Sequence, residues 1–197
     1  LFKMSKIKLA IFISGKGSNA LNIIKYFERN DTIEVALVLS NKTDAQGLEN
    51  AQKLRVNTVV FNNETFKKSG EIDTYLSSLG INYIVLAGFL RQIPADLVDS
   101  FKNRIINIHP SLLPKFGGKG MFGKHVHKAV LDSDETESGI SIHYVSNEYD
   151  EGKIIFQKSI AIEKGETVNS LTAKIKNLEH AYFPVIIEKT IRHEFNA

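Results

Sequence analysis

Residues 7–13, IKLAIFI, form an almost unbroken apolar run, the pattern of a strand covered on both faces in a parallel sheet. SGKGSN follows at 14–19, and ALNIIKYFERN then sets Leu21, Ile24 and Phe27 on one helical face. Strand, glycine turn and helix are the opening of a βαβ unit. The alternation continues with a strand at VALVL (35–39), a helix at GLENAQKL (47–54) and a strand at TVVF (58–61). A helix is predicted from Thr65 to Leu79, closing near Gly80. YIVLAGF (83–89) reads as a fourth strand, IPADLVDSF (93–101) as a helix with Pro94 in its first turn, and RIINIH (104–109) as a fifth strand. This rhythm predicts an α/β fold with a largely parallel central sheet flanked by helices.

After residue 109 the rhythm changes. HPSLLPKFGGKGMFGKH reads as a long loop leading to a short helix around Val126 to Leu131. Two strand-like runs follow, GISIHYV (139–145) and KIIFQKSIAI (153–162), joined by the polar SNEYDEG. A final helix runs from about Thr167 into the 180s, with Leu171, Ile175, Leu178 and Tyr182 on one face. No repeat, low-complexity tract or linker interrupts the pattern, so one domain with an irregular middle is expected.

Composition narrows the chemistry. The absence of Cys among 197 residues excludes disulfides, thiolate metal sites, iron–sulfur clusters and a cysteine nucleophile. No apolar run approaches the roughly 20 residues a membrane-spanning helix needs, so no membrane partner is expected. The opening LFKMSK lacks the apolar stretch of a signal peptide, which points to the cytoplasm; Leu1 to Lys3 read as an addition ahead of a natural start at Met4. The net charge of 25 − 22 = +3 is too small to imply nucleic acid. A small anionic substrate needs only local positive potential, so the total says little. Nothing in the sequence bears on oligomeric state.

Three segments carry candidate chemistry. Ser14-Gly15-Lys16-Gly17-Ser18-Asn19 lies between a buried strand and a helix, where glycines let the backbone approach a ligand and the helix start offers N–H groups and positive dipole to a phosphate. It matches neither the GxGxxG nor the Walker A pattern, and Ser18 or Asn19 could equally serve only as a helix cap. The second segment is Asn107-Ile108-His109-Pro110-Ser111-Leu112-Leu113-Pro114. Strand alternation puts Asn107 and His109 on one face, about 6.6 Å apart, at a strand end where open α/β sheets bind ligands. An amide beside an imidazole suits oxyanion stabilisation and proton transfer; the plainer alternative is a strand end whose polar groups satisfy loop backbone. The third is the acidic turn of Glu148, Asp150 and Glu151, a solvated hairpin loop unless something brings it to His109, where a carboxylate would favour the imidazolium form. A metal site is not expected: His125-Val126-His127 with His143 does not fit HExxH. The GxSxG elbow of a serine hydrolase is absent around Ser18.

Taken in order, SGKGSN, SNKTDAQGLE (40–49), LAGFLRQIP (86–94), NIHPSLLPKF (107–116), HYVSNEYDEGKII (143–155) and KNLEHAYFP (176–184) resemble the phosphoribosylglycinamide formyltransferases. The N-x-H-x-S-L-L-P core is shared by the wider folate-dependent formyltransferase superfamily, and S-G-x-G-S-N points to this branch. The resemblance covers nearly the whole chain. It implies a Rossmann-like formyltransferase fold with antiparallel strands in its C-terminal part, a nucleotide-binding half over 4–105 and a catalytic, folate-binding half over 106–197. It implies transfer of the formyl group of 10-formyltetrahydrofolate to the amine of glycinamide ribonucleotide, in purine synthesis.

By the same resemblance Asn107, His109 and Asp150 match the catalytic trio, and Gly17, Ser18 and Asn19 the phosphate loop. Lys176 and Glu179 match ribonucleotide contacts. Leu90, Arg91, Gln92 and Ile93, together with Asn107 and the loop of Ser146, Asn147, Glu148, Tyr149 and Asp150, match the folate pocket. The co-substrates are thus two small anionic molecules, without metal. The segment GGKGMFGK (117–124) is longer than the corresponding stretch expected of several relatives, and its glycines suggest a mobile lid or a surface elaboration. The family's basic residue ahead of the fourth strand is assigned to neither Lys67 nor Lys68. Formyltetrahydrofolate hydrolase, methionyl-tRNA formyltransferase and a non-catalytic phosphate-binding module are the rivals. The two enzymes carry further domains, and with a first core strand at Ile7 and an end soon after the last helix neither is the expected reading; the module would not need Asn107, His109 and Asp150.

Overall fold

β1 (Ile7–Ile13) is fully buried from Leu9 onward, as its apolar run requires. The computed structural model describes residues 6–67 and 70–195; the start proposed at Met4, with Leu1 to Lys3 before it, and Lys68 lie outside the described residues. After β1 come α1 (Ser18–Phe27), β2 (Ile33–Ser40), α2 (Gln46–Lys53) and β3 (Asn57–Val60). Then follow α3 (Asn63–Lys67), α4 (Glu71–Ser78), β4 (Tyr83–Leu86), α5 (Ala95–Ser100) and β5 (Ile105–His109). The C-terminal elements are α6 (Lys124–Leu131), β6 (Glu137–Tyr144), β7 (Ile154–Ala161) and α7 (Val168–Phe195). The sheet has seven strands in the order β3-β2-β1-β4-β5-β6-β7. β1 pairs in parallel with β2 and β4, and β2 in parallel with β3, whereas β6 and β7 are antiparallel. The chain divides into two compact units, residues 1–106 and 107–197.

In the first unit the apolar content of β1 is matched by an aromatic cluster. Phe12 packs against Phe61, Phe66 and Phe89 with ring centroids 5.9, 6.4 and 5.4 Å away. Phe61 and Phe66 stack at 4.9 Å. Four rings from the ends of β1, β3 and β4 and from α3 thereby fix the loops that follow those strands. Two predicted elements differ from the structure. The helix expected over 65–79 is two helices, because Gly70 at φ +80° caps a new start at Glu71, with its N–H donating to Asp96 Oδ2 at 2.6 Å. The strand expected over 83–89 ends at Leu86, where the chain turns through Gly88 at φ +76°.

In the second unit β6 is buried along most of its length, while β7 is largely exposed. The long α7 lays Leu171, Ile175, Phe183, Ile187 and Ile191 into the core; Leu178 and Tyr182 are only half-buried, and Tyr182 stacks on Phe156 of β7 at 5.2 Å. This helix continues through Pro184 to Phe195, well beyond the 180s, since a proline that fits helical φ removes one ladder hydrogen bond without ending a helix packed on both sides of it. Among the described residues no helix is long and apolar enough to cross a membrane.

Phe12→Ala removes the ring shared by the aromatic cluster. The expected loss is about 3–5 kcal/mol, read as a lower denaturant midpoint at unchanged slope.

Candidate active site

The glycine turn after β1 is built from two glycines that touch. A Cβ on Gly17 would lie 2.7 Å from the Cα of Gly47, and Gly47 donates its N–H to the Gly15 carbonyl at 3.1 Å. Gly17 also has φ +67°, a conformation an L side chain resists, so glycine is required there for both backbone and space. Ser18 and Asn19 are the first residues of α1 rather than its caps; the cap is Gly17, with no side-chain cap hydrogen bond, and the first turn holds no acidic residue. Ser14 ties this turn to the next loop: its N–H donates to Gly88 O (3.1 Å), its Oγ to Asn41 Oδ1 (2.8 Å), and the Leu90 N–H donates to its Oγ (3.0 Å). The turn follows β1, at the point where the strand order reverses between β1 and β4, the usual ligand crevice of an open α/β sheet. Leu90, Arg91 and Gln92 are exposed in the segment after β4, and Ile93 is buried.

The second unit holds the amide, imidazole and carboxylate together. Asn107 and His109 project from β5, with Ile108 buried on the opposite face. His109 Nδ1 lies 3.5 Å from Asp150 Oδ2, and its Nε2 lies 2.8 Å from the Phe116 carbonyl. Both ring nitrogens thus face oxygen acceptors. Asp150 Oδ2 also accepts the Gly118 N–H at 2.9 Å. The acidic turn that looked like a solvated loop in sequence therefore brings one carboxylate, 13% exposed, to the histidine. Asp150 sits at φ +57°, and the rest of its turn, Asn147, Glu148 and Tyr149, is exposed, with the half-buried Ser146 donating to Glu148 O at 3.1 Å.

One site residue was considered in sequence only as a metal ligand. His143 on β6 is 2% exposed, its Nε2 is 3.0 Å from Asn107 Nδ2 and 3.7 Å from Asp150 Oδ1, and its Nδ1 is 2.9 Å from the Tyr144 carbonyl. The signal that would have found it is a second histidine on a strand predicted to follow the loop after β5. Backbone groups of Phe116 and Gly118 were also missed, since sequence carries no mark of a carbonyl or N–H aimed at a side chain. Gly118 belongs to GGKGMFGK, the segment read in sequence as a mobile lid or a surface elaboration. Its first glycine is packed so tightly that a Cβ there would meet Leu113 Cδ2 at 2.6 Å and Asp150 Cβ at 3.2 Å, while Lys119, Gly120 and Phe122 to Lys124 are exposed.

The loop between β5 and α6 is anchored from behind. Ser141 Oγ donates to Ser111 O (2.7 Å) and accepts the Leu113 N–H (2.9 Å), and Gln157 Nε2 donates to Leu113 O (2.9 Å) and to Ser141 Oγ (2.8 Å). Lys176 and Glu179 stand nearly one turn apart on α7, the lysine exposed and the glutamate half-buried. Among the described residues no group of three or more His, Asp or Glu side chains is placed to hold a metal ion.

Burial governs the charge of two further imidazoles. His127 on α6 is pushed below its ordinary 6.5, first by burial and then by His109 nearby. His143 is also pushed down by burial, with His109 adding to this and the Tyr144 carbonyl and Asp150 opposing it. Both are neutral near pH 7.

The formyl transferase family profile matches residues 7–187, and the chain belongs to that family. It is 38% identical over 186 residues to the chloroplastic phosphoribosylglycinamide formyltransferase of Arabidopsis thaliana, covering 91% of this chain and 64% of that protein. It is 32% identical to the phosphoribosylglycinamide formyltransferase of Haemophilus influenzae, covering 92% of this chain and 85% of the relative. The crystal structure of the Bacillus halodurans phosphoribosylglycinamide formyltransferase superposes with a TM-score of 0.84 at 32% identity, over 92% of this chain and 94% of that one. These matches place the chain on the phosphoribosylglycinamide formyltransferase branch of the family. It spans a little under two thirds of the length of the plant relatives it matches.

The neutral histidines set a pH dependence. An unfolded chain takes up protons at His127 and His143 as pH falls through 6.5, whereas the folded protein resists until the lowered values are reached. The unfolded state then binds more protons, so stability falls with falling pH in that window. Chemical denaturation from pH 7 to 5.5 is expected to show this slope, and His127→Gln to flatten it by up to about 1.4 kcal/mol per pH unit.

Proposed function

We propose that this protein transfers the formyl group of 10-formyltetrahydrofolate to the primary amine of glycinamide ribonucleotide, in the purine-building role carried by the names of its relatives. The observation that carries the reading is the pairing of His109 with Asp150 beside Asn107 on the same strand face. The folate supplies an activated formyl group, and direct attack by an amine needs no thiolate or serine. What it does need is donors where negative charge develops on the formyl oxygen, and a route for protons.

Each residue has a part in this. Asn107 has two amide hydrogens, of which one is given to His143 and the second serves the formyl oxygen. His109, as imidazolium, stabilises the same charge and supplies the proton for the departing nitrogen; its Nε2 exchanges the Phe116 carbonyl for the substrate as it does so. Asp150 orients His109 from the other ring nitrogen and organises the water that collects the amine proton. Gly17, Ser18 and Asn19 hold the ribonucleotide phosphate at the start of α1, with Lys176 adding charge and Glu179 accepting from ribose or glycine groups. Leu90 to Ile93 and Ser146 to Asp150 receive the folate. The reading includes a cytoplasmic location, in contrast to the plant relatives, whose names place those proteins in the chloroplast.

Incubation with 10-formyltetrahydrofolate, with and without glycinamide ribonucleotide, tests the reading by following release of tetrahydrofolate. Release that depends on the ribonucleotide is expected. Equal release with water alone would make the protein a hydrolase, and none in either case would leave a binding module. Asn107→Ala and His109→Ala are each expected to lower kcat by about 100- to 1,000-fold with substrate binding retained. Asp150→Asn is expected to change the shape of the pH–rate profile as well as its height; a profile merely scaled down would remove Asp150 from proton handling.

A further inference from the structure

His143 takes no direct part in the chemistry just described, yet the backbone around it is bent to present it. β6 and β7 pair regularly from Glu137↔Ala161 to Ile142↔Phe156, and the register then slips so that His143 stands opposite Ile154. Such a bulge re-aims one side chain. The turned ring is held by the next residue's own carbonyl, Tyr144 O, at 2.9 Å from Nδ1. A carbonyl only accepts, so Nδ1 carries the hydrogen and, in the neutral ring, Nε2 keeps its lone pair. That lone pair accepts one hydrogen of Asn107 Nδ2 at 3.0 Å. The amide is thereby fixed in one of its two orientations, with its nitrogen on the His143 side.

Burial contributes to the same end. It keeps His143 neutral, and a neutral ring is the state in which Nε2 accepts. Asp150 Oδ1 lies 3.7 Å from the same nitrogen, beyond a good hydrogen bond, so it does not displace Asn107 from a neutral ring. Gly152 protects the anchor: a Cβ at that position would lie 1.6 Å from Tyr144 O, so only glycine lets the loop after Asp150 pass over this carbonyl.

We propose that His143 is the positioning residue of the site, acting through Asn107: its tautomer, set by Tyr144 O, dictates which way the Asn107 amide faces and keeps the second Nδ2 hydrogen aimed at the reacting formyl oxygen. The catalytic consequence rests on the formyl-transfer reading, while the orientation of the amide does not.

Two polar variants separate this role from simple core packing. The amide of His143→Gln reaches the position of Nε2 and can still accept from Asn107, whereas that of His143→Asn stops near Nδ1 and cannot. Cooperative thermal unfolding of both variants shows that each is folded. His143→Asn is expected to lower kcat about 10- to 100-fold with KM for both substrates nearly unchanged, and His143→Gln to recover most of that loss. Added to Asn107→Ala, the His143→Asn change is expected to cost nothing further, because the group it positions is already gone. Equal losses in the Gln and Asn variants, a shared rise in KM, or a full additional loss in the double variant would overturn the proposal. Side-chain amide exchange of Asn107 in the free protein, followed by NMR, reads the orientation without any substrate. It is expected to quicken in His143→Asn and not in His143→Gln. Amide protection that follows this pattern in a protein inactive toward formyl-folate would uphold the positioning role and reject the formyl-transfer reading; unchanged protection in both variants would reject the positioning role.

Discussion

A single carboxylate organises the second unit. Asp150 is removed from most of its water, and a carboxylate so placed must be matched by hydrogen-bond donors. Its environment supplies them from two parts of the chain: the His109 ring and the Gly118 N–H. Each source constrains its own neighbourhood. A Cβ on Gly117 would press on Leu113 and Asp150, so the bare glycine lets these segments approach, and Asp150 itself sits in a left-handed backbone conformation. The loop after β5 and the turn after β6 are therefore two halves of one device rather than two independent loops.

The same cluster shows how a buried site keeps several imidazoles in different roles. His109, His127 and His143 are all less than a tenth exposed, but their partners differ. His109 has oxygen acceptors at both nitrogens, Asp150 Oδ2 and the Phe116 carbonyl. His143 has one acceptor and one donor partner, which suits a neutral ring used as a fixed hydrogen-bond relay. His127 has burial and a neighbouring imidazole against it, and stays neutral for electrostatic reasons. Environment, not residue type, sets the role.

In the first unit the turn after β1 is shaped by backbone. The close approach of Gly17 and Gly47 is a packing relation between two turns, and it explains why DAQGLE belongs to the same pattern as SGKGSN. The N-cap of α1 is Gly17, which has no side chain to cap it. The four-phenylalanine cluster at the ends of the strands holds the loops around the helix start.

The sequence by itself determined the strand-and-helix alternation, because a seven-residue apolar run such as IKLAIFI has few structural uses other than a doubly covered strand. It also determined the Asn107 and His109 pair, since alternation along one strand is a local rule and needs no knowledge of the rest of the fold. Only the tertiary structure decided that Asp150 meets His109 across 41 positions of chain, that His143 faces Asn107, and that Phe116 and Gly118 contribute their backbone. Even the break before Glu71 and the early end of β4 turned on glycines whose positive φ is chosen by their surroundings. The physical reason is the same throughout. Periodicity and propensity act between neighbours, whereas hydrogen bonds that satisfy a buried charge are made between whichever segments the packed core brings into reach.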